Sequence, residues 1–170
     1  LPFARRAVEL DEADGRAWIS LGAAYEQTGE ENAALDAYLA ASERMESSPE
    51  LKHNLLHAYA RAGRHREVVG MARSMLADGL SAEAAERMGW AWFRLGEYDK
   101  SAEAYRLAVE TDPDMWRAWN GLGVNALNRW LLSDRSSDAA LAEASASFQA
   151  SLRLHRNQKK VSQLVSQYGL

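Results

Sequence analysis

Apolar residues along this chain recur at helical spacing, and the stripe they form restarts at a nearly constant interval. Trp18, Leu21, Gly22 and Tyr25 stand at i, i+3, i+4 and i+7, which is one face of an amphipathic helix. Leu55, Leu56 and Tyr59 repeat it, then Ala85, Met88, Gly89 and Trp92, then Leu122, Gly123 and Ala126. Leu21, Leu55, Met88 and Leu122 lie 34, 33 and 34 residues apart. A turn glycine (Gly29, Gly63, Gly96) closes the first three copies. Second stripes follow: Ala34, Tyr38 and Ala41; Val68, Ala72 and Met75; Tyr98, Ser101, Tyr105 and Ala108. Each period therefore predicts two antiparallel helices that bury their stripes only by stacking on the next pair.

Local signals set the boundaries. Asp14 is the expected N-cap of a helix over about 15–28, with Gly29 at its left-handed end. A second helix covers about 31–45. Pro49 stands near the start of the second unit, where a missing N–H costs nothing, and Asp112-Pro113 ends the third. The missing residue of the 33-residue interval falls around Asp78-Gly79-Leu80-Ser81. Gly22, Gly89 and Gly123 lie inside helices, each costing about 1 kcal/mol relative to alanine. Their expected purpose is close backbone approach, with Ala34, Ala41, Ala108 and Ala144 facing the opposing helix.

These residues resemble the tetratricopeptide repeat family, whose signature runs Trp-x2-Leu-Gly-x2-Tyr, Ala-x3-Phe, Pro. Trp18-x2-Leu21-Gly22-x2-Tyr25 with Ala34-x3-Tyr38 fits almost in full. Trp119-x2-Leu122-Gly123 with Ala144-x3-Phe148 fits in part, and Ser101-x3-Tyr105 leads to Pro113. The second unit departs, with Lys52, Leu56 and Ala72 in place of Trp, Gly and Phe. The resemblance implies an all-α fold, a right-handed superhelical solenoid of helix–turn–helix repeats with a C-terminal capping helix. Its expected units are a partial repeat over 1–14, repeats over 15–48, 49–81 and 82–115, an extended repeat over 116–157, and a cap over 158–170, forming one array.

The two ends and the fourth unit refine this picture. Phe3–Leu10, with Ala7 in the alanine slot, reads as the second helix of a preceding repeat, and an opening Leu1 suggests a piece of something longer. Val161, Leu164, Val165 and Tyr168 stripe a final helix, with Asn157 as its expected N-cap. From Ala126 to Ala144 the chain takes 18 residues, against nine from Tyr25 to Ala34. Val124, Leu127 and Leu131 continue the helical spacing to about 132, and Ser136 or Ser137 would cap a helix running to about His155. Two readings stay open there: helices lengthened by a turn each, or a docking knob built on Trp130.

Composition narrows the function. The chain has 170 residues, no cysteine and a formal net charge of −4, so disulfide and thiol chemistry are excluded and nucleic acid is an unexpected partner. Residues 144–170 hold four bases (Arg153, Arg156, Lys159, Lys160) and no acid, leaving −8 for residues 1–143. No apolar run is long enough to span a membrane, and the composition suits cytoplasm or periplasm equally. His53 and His57 stand at i, i+4, but the sequence presents no third ligand, so no metal or other cofactor is expected. Gly121-Leu122-Gly123-x-x-Ala126 imitates a dinucleotide fingerprint without the strand that it requires. No nucleophile–base pair can be named, and an enzyme is not expected.

The resemblance places the first helix of each repeat on the concave side. The residues expected to face it are Arg16, Ile19, Ala23, Glu26 and Gln27, then Glu50, His53, Asn54, His57 and Arg61. The third unit adds Glu86, Arg87, Trp90, Phe93 and Arg94, and the fourth adds Arg117, Asn120, Val124 and Asn128. Trp90 and Phe93 are read either as anchors for a bound peptide or as packing against the adjacent repeat, with Trp130 as a secondary contact. A carboxylate clamp of the kind found in part of the family needs Lys and Asn where Ile19 and Ala23 stand. The expected function is a protein-interaction scaffold binding a peptide or helix of a protein partner. The alternatives are a structural spacer that self-associates weakly and an appendage to a catalytic domain outside this chain.

Overall fold

The computed structural model describes residues 1–79 and 81–170, and they form ten α-helices with no strand among them. The chain divides into two compact units, Leu1–Met75 and Leu76–Leu170. The first contains α1 (Pro2–Leu10), α2 (Gly15–Thr28), α3 (Glu31–Arg44), α4 (Pro49–Arg61) and most of α5 (His65–Asp78). The second contains α6 (Ala82–Arg94), α7 (Tyr98–Thr111), α8 (Trp116–Leu132), α9 (Asp138–Leu154) and α10 (Lys159–Tyr168).

Side-chain caps open the helices where the sequence has Asp or Ser. Asp14 accepts from the Arg16 N–H at 2.9 Å and Ser137 from the Ala140 N–H at 3.3 Å. Ser48 and Ser81 do the same for α4 and α6, which relieves donors that lack an intrahelical partner. Gly29 and Gly96 adopt φ of 78° and 80°, a left-handed geometry in which a side chain would be strained. Of the expected gap at residues 78–81, Leu80 lies outside the described residues.

Within the first unit, Ile19, Ala34, Leu35, Tyr38, Ala41, Leu51, Leu55 and Ala58 make one buried core. Val8, Ala17, Leu21 and Ala37 tie α1 to it. In the second unit, Ala85, Tyr105, Ala108, Ala118 and Leu122 form one cluster, and Ala126, Leu127, Ala144, Phe148 and Val161 another. Interior glycines are where aromatic rings enter. A Cβ on Gly22 would lie 2.5 Å from the Tyr38 ring, and one on Gly123 2.6 Å from Phe148.

Three expectations are corrected here. Ile19, placed on the ligand-facing side from sequence, is buried in the first unit's core, because the inner face of α2 is wider than the four-residue stripe. Ala7 is exposed, while its neighbour Val8 is buried. The N-cap of α10 is Gln158 rather than Asn157. Gln158 makes no capping bond; its amide is turned inward instead, where buried carbonyls offer better partners.

Candidate functional site

Three helices of the second unit surround a hollow of about 410 Å³. Helix α6 supplies Glu86, Trp90, Phe93 and Arg94, α7 supplies Tyr105, and α8 supplies Trp116, Arg117, Asn120, Gly121 and Val124. Trp90 and Phe93 are half-buried, so each combines a fixed position with an open surface. Arg94 lies over the Trp90 ring at 5.6 Å and Arg117 over Trp116 at 4.7 Å. At these distances a guanidinium is held against an indole by cation–π attraction.

The floor is built by backbone proximity. Tyr105 sits between two glycines: a Cβ on Gly89 would come within 2.8 Å of its ring, and one on Gly121 within 2.3 Å. A buried polar chain fixes the same helices. Ser101 donates to the Gly89 carbonyl at 2.7 Å, and the Asn125 amide donates to Ser101 Oγ at 2.9 Å and to the Gly121 carbonyl at 3.0 Å. Networks of this kind set one arrangement, because a broken member leaves a buried group unpaired. Burial pushes the Tyr105 hydroxyl's pKa well up, and nearby Glu86 pushes the same way against Arg87. Glu86 is itself held above the usual carboxylate range by burial, which outweighs Arg87 and Arg117.

The outer wall is wired to the last helix. Asn120 donates to Gln158 Oε1 at 2.6 Å, and Gln158 Nε2 donates to Ser151 Oγ at 2.9 Å and the His155 carbonyl at 2.6 Å. Ser151 donates to the Trp116 carbonyl at 2.9 Å, and the Trp116 ring stacks on His155 at 4.9 Å.

The structure gathers some of the sequence-predicted residues and separates others. Trp90, Phe93, Arg94, Arg117 and Asn120 share the hollow, but Arg87 and Asn128 do not line it. Arg87 Nε lies 3.7 Å from Glu86, and the Asn128 amide nitrogen is buried without a hydrogen-bond partner. In the first unit His53 is exposed, Asn54 and His57 are half-buried, and the two histidine rings lie 4.5 Å apart. Arg61 pairs with Glu26 at 3.6 Å. Trp130 meets Tyr168 edge-on at 6.0 Å and packs on the last core cluster, so its ring is seated rather than projecting. Helices α8 and α9 each run 17 residues against 13 or 14 for α2 to α7, and Leu131 and Leu132 at their turn are exposed.

Sequence reasoning overlooked Trp116, Asn125 and Gln158, and met Gly121 only in the false dinucleotide fingerprint. Trp116 stands three residues before the signature Trp119, whose indole N–H bonds the Pro113 carbonyl at 2.8 Å, just as that of Trp18 bonds Glu12 at 2.9 Å. The signature tryptophans thus secure the turn before their helix. The tryptophan outside the signature was the available signal for the site.

Known proteins agree with this repeat architecture. Tetratricopeptide repeat family models match residues 15–44 and 82–115. Small glutamine-rich tetratricopeptide repeat-containing protein 2 of Mycosarcoma maydis is 34% identical over 114 residues, covering 66% of this chain and 32% of its own length. This chain is a tetratricopeptide-repeat protein, and it spans about a third of the length of that curated relative.

Solved structures share the fold. The crystal structure of MamA superposes with a TM-score of 0.77 at 21% identity, covering 92% of this chain and 87% of that one. YrrB, described as a TPR protein with an unusual peptide-binding site, gives 0.79 at 15% identity, covering 97% and 81%. A MamA fragment from Desulfovibrio magneticus RS-1 gives 0.78 at 16%, covering 92% and 84%. At these identities the likeness establishes the fold alone, an all-α array of tetratricopeptide repeats. Among the described residues no helix is long and apolar enough to cross a membrane.

Proposed function

We propose that this chain is a non-catalytic scaffold whose second unit grips a segment of a protein partner in the hollow between α6, α7 and α8. Tetratricopeptide repeats generally serve protein interaction, and this general role is the frame for the reading. The observation that carries the finer reading is the lining itself. Trp90, Phe93 and Trp116 surround a cavity of about 410 Å³ with arginines at its edge. Trp and Arg are the side chains most enriched among interface hot spots, and a concave, mostly apolar pocket suits one large partner side chain. That YrrB is described as binding peptide makes a peptide the natural class of ligand for a chain of this fold.

Selection from a random peptide library displayed on phage tests the proposal, with the Trp90→Ala/Phe93→Ala variant as counter-target. Peptides selected on the native chain are expected to bind the variant at least tenfold more weakly, with its helical circular dichroism unchanged. Equal binding to both would remove the hollow as the site.

A further inference from the structure

We infer that the segment held by the second unit is acidic, with one bulky apolar side chain flanked by Asp or Glu. This rests on the hollow being the binding site and adds the chemistry of its occupant. A second hollow of about 440 Å³ adjoins the first, because Trp116 and Asn120 line both. Its remaining wall is formed by residues around the start of α10, Lys159 and Lys160 among them.

The charges around these two cavities are one-sided. Arg94, Arg117, Lys159 and Lys160 are exposed at their edges. The acid among the described lining residues, Glu86, has a side chain only 12% exposed and points no open carboxylate outward. Elsewhere in the unit Lys100 pairs with Glu97 at 3.0 Å, and Arg106 and Arg129 share Glu143, while Arg135, Arg153 and Arg156 line neither of these two hollows. The four at the hollows have no ion pair among the described residues. Four exposed cations beside an aromatic cavity, with only the mostly buried Glu86 acting on one of them, complement a segment that carries negative charge on either side of an apolar anchor. Arg94 and Arg117 are already held over Trp90 and Trp116, so less side-chain freedom is lost when they meet carboxylates.

A protein segment fits better than nucleic acid. The whole chain carries −4, and residues 1–143 carry −8, so the positive field is local and too small to follow a phosphate backbone.

Fluorescence anisotropy with synthetic peptides tests this. The probe is a dodecapeptide with a central Phe flanked by Glu, amidated at its C-terminus so that no terminal carboxylate contributes. Its partners are a glutamine-for-glutamate analogue and a short DNA duplex. The acidic peptide is expected to bind at least tenfold tighter than the analogue, to weaken as salt rises, and to lose about tenfold in Arg117→Gln/Lys159→Gln/Lys160→Gln. All three substitutions are at exposed positions, so the fold is retained. Equal binding of the glutamine analogue, or tighter binding of DNA, overturns the acidic assignment. Failure of the hollow itself would look different: Trp90→Ala/Phe93→Ala would then leave the acidic peptide bound as before.

Discussion

The first unit and the second use the same repeat positions for opposite purposes. Two repeats after Ile19, Ala23 and Glu26 come Glu86, Trp90 and Phe93; two repeats after Pro49, Glu50 and His53 come Trp116, Arg117 and Asn120. One set of places thus holds Ile, Ala, Pro, His and two Glu in the first unit and an aromatic, cation-edged hollow in the second. The interiors differ in the same way. Ala34 and Ala58 of the first unit correspond to Ser101 and Asn125 of the second, so a dry contact is replaced by a hydrogen-bonded chain. A repeat fold constrains the stripe that stacks and leaves the rest free to diverge, so function is to be sought where equivalent positions differ.

Removing the ring that floors the hollow should have the largest effect. Tyr105→Ala is expected to cost about 3–5 kcal/mol in urea unfolding, the range for deleting a buried aromatic. It should also take the floor out of the hollow. A loss below about 1 kcal/mol would mean that the two glycines accommodate the ring without depending on it.

Smaller hydroxyl deletions sharpen the contrast between interiors. Ser101→Ala takes one hydrogen bond from the Asn125 amide and one from the Gly89 carbonyl, and should cost about 1–2 kcal/mol. Tyr38 is fully buried, and burial together with the neighbouring Glu26 carboxylate raises its pKa far above the usual tyrosine range. Tyr38→Phe removes a hydroxyl that meets one carboxylate and belongs to no wider network, and should cost at most about 1 kcal/mol. Equal losses from both substitutions would erase the distinction drawn between a polar and a dry interior.

The smallest expected effect is electrostatic. Glu86 has its pKa raised by burial in the folded chain, so folding favours its protonated form. Its contribution to stability is fully present below the unfolded carboxylate pKa and is lost as pH rises through the folded one. Glu86→Gln should flatten that part of the stability–pH curve and leave the chain slightly more stable at neutral pH. An unchanged curve would show that burial does not favour the protonated form of Glu86.

Much of this was legible in the residues. The 34-residue period, the caps Asp14 and Ser137, the turn glycines and the lengthened α8 and α9 were all readable, because helix periodicity and end chemistry are local properties. Trp90 and Phe93 stood out because Trp92 already serves the packing stripe. Trp116 did not, since a signature tryptophan three residues later drew the assignment. Ile19 was misplaced because two turns of helix leave room for a fifth buried position, and only a neighbour can fill it. Gln158 was missed since its partners, Asn120 and Ser151, come from two other helices.

The chain's own order of residues thus determined that it builds paired helices in series, with glycines where rings must enter, because those demands act within one helix or one turn. Packing alone decided which side chains meet. Tyr105 became a floor between Gly89 and Gly121, Trp130 settled against Tyr168, and Arg94 and Arg117 came to rest on indoles beside one cavity. Contacts of that kind join residues far apart in the chain, and their energy exists only once several helices share a volume that none encloses alone.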